Sequence, residues 1–371
     1  MMKLQFSLIR TLAFFLLAGP VLISCKQTEQ KRVTADEAKT FAKKLESSIE
    51  KREAGFMDEA IAKETFMKKA GIGSSKEARA FGSGIEQGMK MGTSITRSIS
   101  KKATYQLVKQ YEKDQKQHVL FRMYDDGSLN YHDIELIRDG KDIKIADIFV
   151  YTTGEFLSET IKGLYTQMKD VMDNKSVKSS SANWSQKLPE MRQLMSQGKS
   201  EEALAIYNEL PSEIQRMRAV QIIHVLISSG LNDMSKYSAA IEEYKTLYPN
   251  EPNMHLLLLD GYIMNKEFDK ALDGVNQLDK MINSDPLLDY YRYLCYTLKE
   301  KPDSAKMALE KLVKNKPDFE DGILEMIVIN IDDKNNAGAD QLIAKYKLNS
   351  SFDQEKLEQV LTGKGYTPTE K

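Results

Sequence analysis

The sequence predicts an α+β N-terminal domain, helices on a curved antiparallel sheet, followed by an all-α superhelix of helical repeats. Three observations carry this reading. Two Asp-Gly pairs, Asp126-Gly127 and Asp139-Gly140, punctuate a stretch of period-two hydrophobicity; such pairs favour two-residue hairpin loops, whose central residues take positive φ. Five alanines, Ala203, Ala240, Ala271, Ala305 and Ala339, recur at spacings of 37, 31, 34 and 34, a period that marks stacked helix pairs. Between the two regions lies a Ser-rich, weakly apolar run, NKSVKSSSANW at 174–184, with the composition of a linker.

The chain starts with Lys3 and Arg10 and then thirteen uncharged residues, Thr11 to Ile23, broken by Gly19-Pro20. A membrane-spanning helix needs about 20 apolar residues, so 1–24 reads as a secretory signal peptide. Leu22-Ile23-Ser24-Cys25 resembles the lipobox of bacterial lipoproteins. That resemblance implies that Cys25 is lipidated and becomes the first mature residue, with 25–33 a short tether. The alternative is an ordinary signal with a chance cysteine; the polar turn KQTEQKR directly after Cys25 favours the lipoprotein. Two or three acyl chains make such anchoring lasting. Lys26 stands where some lipoproteins carry an aspartate for inner-membrane retention, which points to the outer membrane. With Cys25 consumed, only Cys295 remains, so neither an intramolecular disulfide nor a zinc cluster is expected.

The first domain spans 34–173. Thr34 and Glu37 form a capping-box pattern at the start of a helix, and a second helical stretch runs from Lys76 to Ser98. Its glycines, Gly82, Gly84, Gly88 and Gly92, suggest close packing against another backbone rather than a phosphate loop. Strands follow at about Tyr105–Tyr111, His118–Asp125, Ser128–Arg138 and Lys141–Val150, then a closing helix from Thr152 to Met172. Counting outward from the turns pairs Val119 with Ile134, Phe121 with His132, Leu136 with Ile143, Glu135 with Lys144 and His132 with Asp147. One face then collects Val119, Phe121, Met123, Ile134, Leu136, Ile143, Ile145 and Phe149, so one side of the sheet is expected to be buried. Helices followed by such a meander resemble the NTF2-like (cystatin-like) fold, whose members use the cone as a small-molecule pocket or as a core and interaction surface. The candidate pocket residues are Phe121, His132 and Asp147. A carboxylate can fix the tautomer of an imidazole and leave its other nitrogen as a base, the arrangement that isomerases and dehydratases of that fold exploit; two mutually satisfied buried groups are the alternative.

Residues 185–371 form the second region. KSEEALAIYNEL, YSAAIEEYKTL, FDKALDGVNQL, DSAKMALEKL and NAGADQLIAKY each place an apolar residue four positions after the alanine: Tyr207, Tyr244, Val275, Leu309 and Ile343. Each alanine is read as preceding an amphipathic helix, and Pro252, Pro286 and Pro317 close repeats. These segments resemble tetratricopeptide repeats, without the Trp-Leu-Gly of the first helix. The resemblance implies a groove for a protein or peptide partner lined by Leu256, Asp260, Tyr290, Leu294, Leu324 and Val328. The alternative is a groove packed by the chain's own tail, Phe352 to Leu361.

Charged residues are 29% of the chain and the formal charge is −1, with basic and acidic residues interleaved. That excludes the basic stripe nucleic-acid binding needs. The four histidines, His118, His132, His224 and His255, are scattered singly, which offers no metal-ligand spacing, and no cofactor is implied. The expectation is therefore a non-enzymatic envelope protein, anchored by lipid and docking a partner through its repeats, with a small-ligand or catalytic pocket as the alternative.

Overall fold

In the computed structural model, residues 31–73, 75–125, 127–173, 184–231, 233–249 and 255–369 are described. Cys25 and most of the 174–184 run lie outside them. The capping box forms as its spacing requires: Thr34 Oγ1 accepts from the Glu37 N–H at 3.3 Å and the Glu37 carboxylate accepts from the Thr34 N–H at 2.9 Å. The helix it opens, α1 (Ala35–Glu50), buries Phe41, Ala42, Leu45 and Ile49 along one stripe. Four helices follow: α2 (Gly55–Ala60), α3 (Lys63–Lys69), α4 (Lys76–Gly88) and α5 (Met91–Ser98). The stretch read as one helix from Lys76 to Ser98 is thus two. Of its glycines, Gly92 makes the close backbone approach, since a Cβ there would lie 2.4 Å from the Ala54 carbonyl oxygen; Gly84 faces open space.

The sheet is an antiparallel meander of β1 (Thr104–Lys113), β2 (Lys116–Asp125), β3 (Ser128–Asp139), β4 (Asp142–Val150) and the two-residue β5 (Glu155–Phe156), in that spatial order. The β2–β3 register follows the sequence reading, with Val119 opposite Ile134 and Phe121 opposite His132. The β3–β4 register does not. Asp139 pairs with Asp142, so the turn is Gly140-Lys141, and Leu136 faces Ile145. Further along, Ala146 is an extra residue in β4, after which Glu135 faces Asp147, Ile134 faces Ile148 and His132 faces Val150. A one-residue bulge reverses the facing of every later side chain, which separates His132 from Asp147 and moves Phe149 to the opposite face.

The inner face carries Tyr105, Val119, Phe121, Ile134, Leu136, Ile145 and Ile148, packed on α1, α2, α3 and α5 through Leu45, Ile49, Met57, Phe66 and Ile95. The expectation of a single buried side is incomplete. On the outer face Leu120, Leu129, Tyr131 and Tyr151 belong to a second core built with C-terminal helices.

After α6 (Leu157–Asp173), the C-terminal region is all helical: α7 (Trp184–Ser196), α8 (Ser200–Asn208), α9 (Ser212–Gln215), α10 (Arg218–Ser229), α11 (Met234–Leu247), α12 (His255–Met264), α13 (Phe268–Ile282), α14 (Leu288–Leu298), α15 (Pro302–Asn315), α16 (Glu320–Asp332), α17 (Asn336–Tyr346) and α18 (Gln354–Lys364). Helices pack as pairs, α7 with α8, α10 with α11, α12 with α13, α14 with α15 and α16 with α17, and successive pairs touch. The five alanines lie inside the second helix of each pair, not before it, and all are buried, as are the apolar residues four positions on. A small residue at each such point lets two helix axes approach. Described residues from Arg32 onward cluster as one compact unit.

Candidate functional site

The residues expected to line a partner groove are placed by the first helices of three pairs. Leu256 on α12 is buried, and Tyr290 and Leu294 on α14 are half-buried, in the core that also holds Leu120, Tyr131 and Phe149 of the sheet. Leu324 on α16 is in another cluster, with Leu357 and, at its margin, Phe352, Val360 and Leu361 of the tail. Val328 is half-buried. Asp260 lies in α12, and its side chain is outside the described residues. The sheet therefore covers one part of this surface and the tail another.

A polar joint runs through the sheet-to-helix contact. Arg122 on β2 donates to Asp285, in the turn before α14, at 2.5 Å and to Gln106 at 2.6 Å. The other oxygen of Asp285 accepts from the Tyr131 hydroxyl at 2.9 Å, and the backbone N–H of Leu287 donates to the first at 3.0 Å. Arg122 is 7% exposed and Asp285 0%, measured on the side chains. Burial and the neighbouring Asp285 carboxylate push the Tyr131 hydroxyl well above its ordinary pKa. Around this centre, Tyr291 donates to the Gly127 carbonyl at 2.8 Å, Tyr124 to Asp321 at 3.2 Å, Lys316 to Gln106 at 3.3 Å and Arg218 to the Thr153 carbonyl at 2.8 Å.

His132 and Asp147, paired from the sequence, have separate partners. His132 sits on the inner face, 3.2 Å from the Tyr105 hydroxyl through Nδ1 and 3.2 Å from the Asn130 amide through Nε2. The Asn130 oxygen accepts from the backbone N–H groups of Tyr131 and Thr152, which turns the Asn130 NH₂ toward His132. Nε2 must then accept, so Nδ1 carries the proton and donates to Tyr105. Burial lowers the His132 pKa to about 4, which keeps the ring neutral. Phe121, opposite it, stacks on Tyr105 at 4.8 Å. Asp147 accepts from the Ser158 hydroxyl at 2.5 Å and from Lys69 at 3.4 Å, and burial raises its pKa. The pair is two satisfied groups, not a dyad.

A different His-Asp pair exists on the outer face. His118 Nδ1 donates to Asp133 at 3.1 Å, and Asp133 also accepts from Tyr111, whose ring stacks on the imidazole. Beside it, Glu135 accepts from Lys116 at 2.7 Å and Lys69 at 2.9 Å, and these cations hold its pKa below the ordinary range against the upward pull of burial. The clue was the confirmed β2–β3 register, which puts His118 and Asp133 on one face, a step apart. His118 and Asp133 are both buried, and the arrangement is a closed hydrogen-bond network. A cleft of about 710 Å³ lies elsewhere, between α3 and α4, lined by Lys63, Met67, Lys68 and Ile72 among others. Among the described residues no group of three or more His, Cys, Asp or Glu could hold a metal ion, and no helix is long and apolar enough to cross a membrane. Cys295 is fully buried, which pushes its thiol up to about 11.

Fold and joint together define a helix-backed antiparallel sheet seated on an array of helix pairs. Comparison with protein-family models, curated proteins and solved structures finds no match for the chain.

Proposed function

We propose that the chain is a lipid-anchored protein of a bacterial envelope, attached through Cys25, whose tetratricopeptide-like array docks a protein or peptide partner while the NTF2-like domain serves as spacer or second binding module. The observation that supports it most directly is the buried alanine in the second helix of all five pairs, 0–4% exposed. Pair stacking of that kind produces an extended surface suited to binding chains rather than a closed reaction pocket. Anchoring would raise the effective concentration of the partner at the membrane. The lipobox, together with the Lys26 that follows it, favours the outer membrane.

The small-ligand reading would draw on the His118–Asp133 pair; its burial in a closed hydrogen-bond network favours the docking role. Two measurements test the proposal. Cys25→Ala should abolish acyl labelling and release the protein from the membrane fraction. In-cell crosslinking of the native protein should give a discrete adduct; a protein recovered only as uncrosslinked chain, under conditions that crosslink other envelope assemblies, rejects the docking role.

A further inference from the structure

We propose that the outer face of the sheet is a built-in occupant of the helical array, an autoinhibitory contact that parts to admit a partner. The inference rests on the reading of the array as a docking module. Leu256, Tyr290 and Leu294, three of the six residues that reading assigns to a partner, belong to the same core as Leu120, Tyr131 and Phe149, and Tyr290 and Tyr124 of the sheet both meet the Phe319 ring edge-on. The sheet thus stands where a ligand would.

The chemistry of the contact suits separation. Its polar members, Arg122 with Asp285, Tyr131 with Asp285, Tyr124 with Asp321, Tyr291 with the Gly127 carbonyl, Lys316 with Gln106, and Arg218 with Glu155 and the Thr153 carbonyl, are groups that water solvates well once parted. The closed state satisfies them incompletely, since the buried Arg122 Nε has no hydrogen-bond partner. Each side also keeps a core of its own. The helices α1 to α5 close on the inner face of the sheet, and separate clusters hold α7 to α10, α10 to α12 and α16 to α18. Parting would expose the shared core without dismantling the others. A partner's apparent affinity is then its intrinsic affinity reduced by the open fraction.

Val119 and Leu120 make the test internal. Both are 0% exposed and adjacent on β2, one in the inner core and one in the shared core. In the full chain carrying Cys25→Ser and Cys295→Ala, Leu120→Cys and Val119→Cys are each reacted with a soluble aromatic disulfide in native buffer. Parting predicts that the thiol from Leu120→Cys reacts at least ten-fold faster, with a shallower urea dependence, and that Asp285→Asn accelerates it alone. Equal rates with equal urea dependence overturn the proposal, because the outer face then opens only by global unfolding. Leu129→Cys, on the same face, replaces Leu120→Cys if that variant does not fold. A second arm bridges Tyr124→Cys to Asp321→Cys with a short bismaleimide. Loss of the in-cell adduct on bridging supports autoinhibition, whereas an adduct indifferent to the bridge overturns it. An absent adduct without the bridge is a failure of the docking role, and the labelling comparison still decides whether the sheet parts.

Discussion

Asp285→Ala is the sharpest perturbation of the joint between sheet and array. It strips the acceptor from three donors at once: Arg122 Nη1 at 2.5 Å, the Tyr131 hydroxyl at 2.9 Å and the Leu287 N–H at 3.0 Å. The largest loss falls on Arg122, whose guanidinium is 7% exposed and would stay charged with Gln106 as its remaining partner. Breaking one side of such a buried pair costs about 3–5 kcal/mol, because the other charge is left desolvated and unpaired. Replacing both partners by apolar residues of similar size is often close to neutral. Arg122→Met with Asp285→Leu should therefore recover at least half of the single-variant loss, the shortfall reflecting the donors of Tyr131 and Leu287. Equilibrium urea unfolding, followed by far-ultraviolet circular dichroism and by fluorescence, measures Asp285→Ala, the double variant and its two singles, Arg122→Met and Asp285→Leu. A loss under about 1 kcal/mol for Asp285→Ala would show the pair to be hydrated. A double variant as unstable as the sum of the singles would show that its members act independently. Either result refutes the buried-pair reasoning.

Three further outcomes follow from the packing and titration of the domain cores. His132 has a folded pKa of about 4 against an unfolded value near 6.5, so the unfolded chain binds the extra proton in that window; stability from this residue is intact above pH 6.5 and falls as pH drops toward 4, by about 3 kcal/mol in full. Urea unfolding at pH 7 and 4.5 should show His132→Gln losing less stability on acidification than the parent, and equal losses would remove His132 as the source. Gly92→Ala should cost more than about 2 kcal/mol, since its Cβ would lie 2.4 Å from a backbone oxygen, while Gly84→Ala, with open space around it, should raise stability by up to about 1 kcal/mol; thermal melts of the two rank them directly. In α17, Ala339→Leu should lose about 1–3 kcal/mol by overpacking a fully buried site, whereas Ala337→Leu on the exposed side should change stability by less than about 0.5 kcal/mol.

The parts of the fold that sequence made legible are those fixed by short-range rules. The Thr34–Glu37 capping box, the β2–β3 hairpin and the positions of Ala203 to Ala339 all depend on fixed spacings, and all are where spacing puts them, apart from the alanines lying within their helices. The β3–β4 register depends on which residues of a turn are central and on a bulge at Ala146, and no turn signature marks an extra residue inside a strand. The shifted turn and the bulge together part His132 from Asp147, whereas the His118–Asp133 pair follows from the β2–β3 register alone. The second buried face had a signal that went unused. Val119-Leu120-Phe121 and Ile148-Phe149-Val150-Tyr151 are continuous apolar runs, and a strand that is apolar on consecutive positions is one covered on both sides.

The outer face is divided along its length, and this division accounts for how the array sits. Toward the β2–β3 turn it offers Leu120, Leu129 and Tyr131, joined by Phe149 and Tyr151, whose rings meet edge-on at 5.0 Å. Toward the other end it carries His118, Asp133, Glu135 and Asp147, which are met by Tyr111, Lys116, Lys69 of α3 and Ser158 of α6. Helices with apolar first-helix faces gain burial only over the first part, at roughly 25 cal/mol per Å² of apolar surface, and would strand charges over the second. The bulge sharpens the division, because it turns Phe149 outward into the apolar part and brings Ile148 into the inner core. Arg122 and Asp285 lie within the apolar part, where an ion pair adds little net stability and a slip of the array along the sheet would separate two desolvated charges. The contact therefore draws its strength from the apolar surface, with the Arg122–Asp285 pair fixing its register at the centre and the Arg218–Glu155 pair tying β5 to α10.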